Sequence, residues 1–110
     1  MRGPYVKGTL DSSLDALVVA LCADYKRRSE LICAKDLTPR TAAELRYINY
    51  MISAGVAEIA EPHQVNIFIE EIGARVGYAH SEIFGLGEVA YKIRKSEIKR
   101  NIAKKLHLCE

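Results

Sequence analysis

Apolar residues recur every three or four positions over most of this chain, and in no run bounded by turn residues do they alternate with polar ones. A spacing near 3.6 gathers side chains on one face of a helix, whereas a half-buried strand needs a period of two. The chain is therefore expected to be all-α. With 110 residues it has material for one hydrophobic core rather than two. Its 49% hydrophobic and 27% charged residues lie far from the composition of a disordered chain.

Residues 1–10 contain Gly3, Pro4 and Gly8, which oppose regular structure and predict a flexible arm. Ser12 with Asp15 offers a capping box, and Leu14, Leu17, Val18, Leu21, Tyr25 and Ile32 follow at helical spacing, predicting a first helix from Ser12 to about Ala34. Thr38 before Pro39 is a helix start: the hydroxyl can accept an orphan amide and the proline suits the first helical position. A second helix is expected from Pro39 to about Ala60, with Gly55 unfavourable there unless close packing needs it. Pro62 forces a bend, and Val65, Phe68, Ile69, Ile72 and Val76 form a third stripe that Gly77 should close in a left-handed cap. A short turn over 79–84 and a last helix from Glu88 to about Leu106 complete the expected bundle of four main helices and one short one.

Several functions are disfavoured. The longest apolar run, Ala16 to Ala23, is far below the roughly 20 residues a bilayer requires, and the start of the chain lacks a secretory signal. Cys22, Cys33 and Cys109 are too scattered for a disulfide framework or a zinc site, which fits reduced thiols in a cytoplasmic protein. Cys22 and Cys33, eleven residues apart on one long helix, should share a buried face. His63, His80 and His107 have no acidic or histidine partner at ligand spacing, and no phosphate loop or nucleophile elbow is present. No metal, no cofactor and no catalytic residue is expected, so the chain is not expected to be an enzyme.

Charge is uneven. Residues 77–110 carry seven basic against four acidic residues, and all seven lie in the last helix: Lys92, Arg94, Lys95, Lys99, Arg100, Lys104 and Lys105. Many should fall opposite Tyr91, Ile98 and Ile102, where they could meet phosphates. The competing account is a solvated face whose lysines favour the helix C-terminus.

Counting from Ile69, apolar residues stand at the fourth (Ile72), eighth (Val76), fifteenth (Ile83) and eighteenth (Leu86) positions, a small residue at the fifth (Gly73) and glycine at the ninth (Gly77). This pattern resembles the DNA-binding helix-turn-helix of small phage-type or sigma-factor-like regulators, over residues 69–88 only. Gly85 and Gly87 depart from it by falling inside the implied second helix. The resemblance implies duplex DNA as a partner, with Arg75, His80, Ser81 and Glu82 near base edges or phosphates and Lys92, Lys95, Lys99 and Arg100 on phosphates. Ordinary roles compete: an N-cap for Ser81, a dipole partner for Glu82, solvated side chains for His80 and Arg75.

A rival reading takes the long apolar faces of the first two helices as a surface for a partner or a second copy. Tyr25, Tyr47 and Tyr50 would suit such a homodimer interface, tyrosine being enriched at interfaces. Otherwise they close the monomer's own core.

Overall fold

A computed structural model describes residues 10–34 and 36–109. The expected arm over 1–10 thus lies outside it except for Leu10. Among the described residues there are five α-helices and no strand: α1 (Ser12–Ala23), α2 (Tyr25–Ile32), α3 (Pro39–Ala57), α4 (Val65–Gly73) and α5 (Glu88–Lys105). Short 3-10 turns at Pro62–Gln64 and Tyr78–His80 flank α4. The expected all-α bundle forms. No helix among the described residues is long and apolar enough to cross a membrane.

Helix α3 is the spine, packing on α2, α4 and α5, while α1 lies along α4. Ile52 and Val56 of α3 meet Phe68 and Ile72 of α4, Val18 of α1, and Ile98 and Ile102 of α5 in one fully buried core. Thr38 and Pro39 start α3 as anticipated, with the Thr38 hydroxyl oxygen accepting the Thr41 amide at 3.2 Å. For α1 the cap is Asp11 rather than Ser12, its carboxylate accepting the Leu14 amide at 3.0 Å.

The long first helix is broken at Asp24, where ψ rises to 3°. A continuous helix would offer the Leu21 carbonyl to the Tyr25 amide; here the guanidinium of buried Arg28 donates to it. Arg28 also donates to the side-chain oxygen of buried Asn49 at 2.7 Å, and the Asn49 amide donates to the Tyr25 carbonyl and the Ser29 hydroxyl. These bonds consume polar groups that apolar burial alone would strand, and they fasten the break onto α3. The change of direction separates the two cysteines: Cys22 is buried and Cys33 exposed.

Helix α4 ends in a Schellman arrangement, but not at Gly77. Arg75 adopts φ 56°, with its amide bonded to Ile72 O at 3.2 Å and the Val76 amide to Glu71 O at 2.9 Å. Gly77 is extended, at φ −90° and ψ 173°.

Two glycines mark close crossings. A Cβ on Gly55 would lie 3.1 Å from Ile102 of α5, and one on Gly73 would lie 2.6 Å from the backbone nitrogen of Ala23. The second cannot be relieved by a rotamer change because the obstacle is main chain. Gly73→Ala is therefore expected to destabilise the protein by about 3 kcal/mol, overriding the gain in helix propensity. Arg75→Gly should stabilise by about 1 kcal/mol by removing the left-handed penalty. Urea unfolding read by circular dichroism distinguishes these signs.

Candidate nucleic-acid interface

Where the resemblance implies a second helix, the chain makes the 3-10 turn Tyr78–His80 and then runs without helix from Ser81 to Gly87. The apolar positions of the pattern still turn inward, Ile83 being buried and Leu86 packing on the core. Gly73 does serve a close helix crossing, with α1 as the partner.

What holds this segment is Glu71, a carboxylate only 5% exposed on the inner face of α4. It accepts from the Ser81 hydroxyl at 2.6 Å, the Glu82 amide at 2.5 Å and the Tyr91 hydroxyl at 2.7 Å. Ser81 Oγ in turn accepts the Ile83 amide at 2.9 Å. Bonds to a carboxylate are roughly twice as strong as neutral ones, and three of them offset the desolvation of the group. The Tyr91 ring stacks on Phe68 with centroids 6.1 Å apart, and the ammonium of Lys95 stands 5.5 Å over it. Lys95 donates to the Val76 carbonyl, and burial pushes its pKa down.

The predicted residues therefore divide. Ser81 and the Glu82 backbone are fastened to Glu71, although the Glu82 side chain is exposed. Arg75 and His80 are exposed on the turn leading away from α4. Lys95 is committed inward, and Lys99 forms an ion pair with Asp15 of α1 at 2.7 Å. Lys92 pairs with Glu88 at 2.8 Å across one turn of exposed helix, an interaction worth only about 0.5 kcal/mol and readily exchanged. Arg100 is part-exposed and has no carboxylate partner among the described residues.

Sequence reasoning gave too little weight to Arg94 and Lys104, which likewise lack an acidic partner among the described residues. Lys105 pairs with Glu58, whose pKa is lowered first by that bond and then by Asn101. Also missed were Val89 and Ile93, one helical turn apart on α5, with Val89 70% exposed. The signal was available: both are apolar yet fall roughly opposite Tyr91 and Ile98 on the helical wheel.

No grouping of three or more His, Cys, Asp or Glu side chains suited to a metal occurs among the described residues. A cleft of about 530 Å³ opens between the α1–α2 break and α4, lined by Cys22, Ala23, Tyr25, Ile69 and Gly73 with Lys26 and Glu70 also on its wall. Burial pushes the Cys22 thiol up to about 12, which keeps it protonated and unreactive near neutrality.

No family model matches this chain, and no curated protein or solved structure does either.

Alkaline behaviour tests the Glu71 cluster. Tyr91 is pushed up to about 12, by burial first and by the Glu71 bond second. A folded-state pKa above the unfolded one contributes stability in full below the unfolded value and loses it as pH rises through the folded value. Stability should thus fall between about pH 10 and 12 through Tyr91, and from about pH 9 through Cys22. In Tyr91→Phe, the protein should be weaker by about 2 kcal/mol at pH 7, because Glu71 loses a donor, yet its alkaline slope should be shallower. Urea midpoints collected from pH 7 to 11 check both signs.

Proposed function

We propose that the chain is a small DNA-binding regulatory protein in which α5, rather than the segment after Gly77, is the helix presented to duplex DNA. The observation that carries this reading is the make-up of the outward face of α5. Val89 and Ile93 are exposed on it, Lys92 stands beside them, and Arg100 and Lys104 continue the face toward the C-terminus. An α-helix with side chains is about 10–12 Å across and fits the roughly 12 Å major groove.

The chemistry divides along the helix. Lys92, Arg100 and Lys104 neutralise phosphates and set the register, while Val89 and Ile93 offer apolar contact to thymine methyl groups. Lys95 and Lys99 are occupied with Val76 and Asp15, so they support the helix from behind. Ser81 acts through Glu71, and Arg75 and His80 are at most flanking phosphate contacts. A second reading, an interaction module without nucleic acid, is favoured by the exposure of Tyr47 and Tyr50 on α3, 45% and 66% respectively.

Fluorescence anisotropy with a labelled duplex across a salt series tests the DNA reading. The double variant Arg100→Ala/Lys104→Ala should bind more weakly to every duplex and reduce the slope of log affinity against log salt by about 1.8, two contacts at about 0.9 each. Glu70→Gln, exposed on α4 beside the α1–α2 break rather than on α5, should retain the slope. Absence of any duplex binding by the wild-type chain at low salt would leave the interaction module as the account of the fold.

A further inference from the structure

The outward face of α5 carries one charge of the wrong sign for the partner proposed above. Glu97 is exposed, and its carboxylate enters no ion pair among the described residues. Glu88, the other acid of α5, is paired with Lys92. At about 100° per residue, Arg100 lies opposite the buried Ile98 and Ile102, and Glu97 stands about 40° around the helix from Ile93 and about 20° from Lys104. Along the axis it is about 12 Å from Val89 and about 10 Å from Lys104, at 1.5 Å per residue. A duplex that engages both the apolar pair and the unpaired cations therefore passes over this carboxylate.

We infer that Glu97 is a base-reading residue of this face, accepting a hydrogen bond from the exocyclic amino group of a cytosine in the major groove. The inference rests on the DNA reading of α5 and names the kind of duplex that α5 selects. An ionised carboxylate accepts hydrogen bonds and donates none. Phosphate oxygens repel it, and the major-groove edges of guanine and thymine offer it acceptors or a methyl group. Only the amino groups of cytosine and adenine can donate to it. Adenine sets its donor beside the acceptor N7, a pair that suits an amide, whereas the cytosine edge presents the donor alone and so matches a carboxylate.

The position of Glu97 gives the preference a spacing. Ile93, one helical turn earlier, is the nearest side chain suited to a thymine methyl group, and the two positions are about 6 Å apart along α5. With a rise of about 3.4 Å per base pair, the cytosine and the thymine fall about two steps apart. The same carboxylate acts against every other sequence, because without an amino group to meet it brings a negative charge against the polyanion. Arg100 and Lys104, which have no acidic partner among the described residues, attract any duplex alike. Glu97 opposes that attraction except where cytosine stands beneath it.

Selection of duplexes from a randomised pool by the full chain, followed by anisotropy on the selected and a scrambled duplex at one salt concentration, tests this. The wild-type chain is expected to select a cytosine with a thymine about two steps away, and replacing that C·G pair should weaken binding about tenfold. Glu97→Ala should lose the preference at that position alone and bind the scrambled duplex more tightly. Glu97→Gln should exchange cytosine for adenine there, since its amide donates to N7 and accepts from N6. Helicity and urea midpoint should be unchanged in both variants, the position being exposed. A wild-type chain that binds duplexes without sequence preference, or a Glu97→Ala variant that keeps the wild-type preference or holds the scrambled duplex no more tightly, overturns the inference and leaves the DNA reading standing. A wild-type chain that binds no duplex at low salt overturns both.

Discussion

The position of α5 depends on one buried carboxylate. Glu71 faces the core from α4 within a row of Phe68, Ile69 and Ile72, where an unpartnered acid would cost several kcal/mol. Its donors come from the 81–82 segment and from Tyr91. The requirement to satisfy it therefore draws the connection after α4 back onto the bundle and fixes where α5 passes. Apolar burial of Ile83, Phe68 and Tyr91 supplies attraction without direction; the hydrogen bonds supply the register. The non-helical course of the chain from Ser81 to Gly87 follows from this, because a helix there would turn the Glu82 amide into its own ladder and away from Glu71.

A second polar anchor works the same way at the break between α1 and α2. Arg28 and Asn49 saturate one another and the carbonyls of Leu21 and Tyr25 at the break between α1 and α2. Both anchors sit where a run of backbone leaves helical geometry, and each supplies a side chain to groups the helix ladder has released. Between them, helices approach through glycine, Gly73 on α1 and Gly55 on α5. The fold thus combines directionless apolar contact, two points of close approach and two polar fasteners that select one arrangement among the several a helical sequence of this length could take.

Periodicity made the helices legible. It located α3, α4 and α5 and their core faces, and the Thr38–Pro39 pair located a start to the residue. The break at Asp24 was not legible, because nothing local distinguishes it: the competitor for the Leu21 carbonyl is a guanidinium seven residues away, held by an asparagine on another helix. The left-handed position after α4 was assigned to Gly77 because glycine bears it most cheaply, yet the chain places Arg75 there and uses Gly77 extended. For the candidate site, the basic character of α5 could be read directly, while the division of its cations could not. Asp15 and the Val76 carbonyl reach Lys99 and Lys95 only through tertiary packing. Polar residues inside otherwise apolar stripes, Glu71 and Asn49, were the available clue to where the chain would be fastened.

That division of the cations bears on how a basic helix should be understood. Seven positive charges on one helix repel one another, and a chain that solvated them all would gain solubility at the expense of the helix itself. Here the charges nearest the core are engaged by the bundle: Lys99 is neutralised by Asp15 and Lys105 by Glu58, while Lys95 is solvated by the Val76 carbonyl and the Tyr91 ring. Those contacts fix α5 to α1, α3 and the connection after α4. The charges left with no acidic partner among the described residues, Arg94, Arg100 and Lys104, include the two that fall on the side of α5 turned from α3. Tyr47 and Tyr50 of α3 are exposed as well. Packing has therefore sorted the cations of one helix into those that fasten it to the bundle and those left to solvent or to a partner.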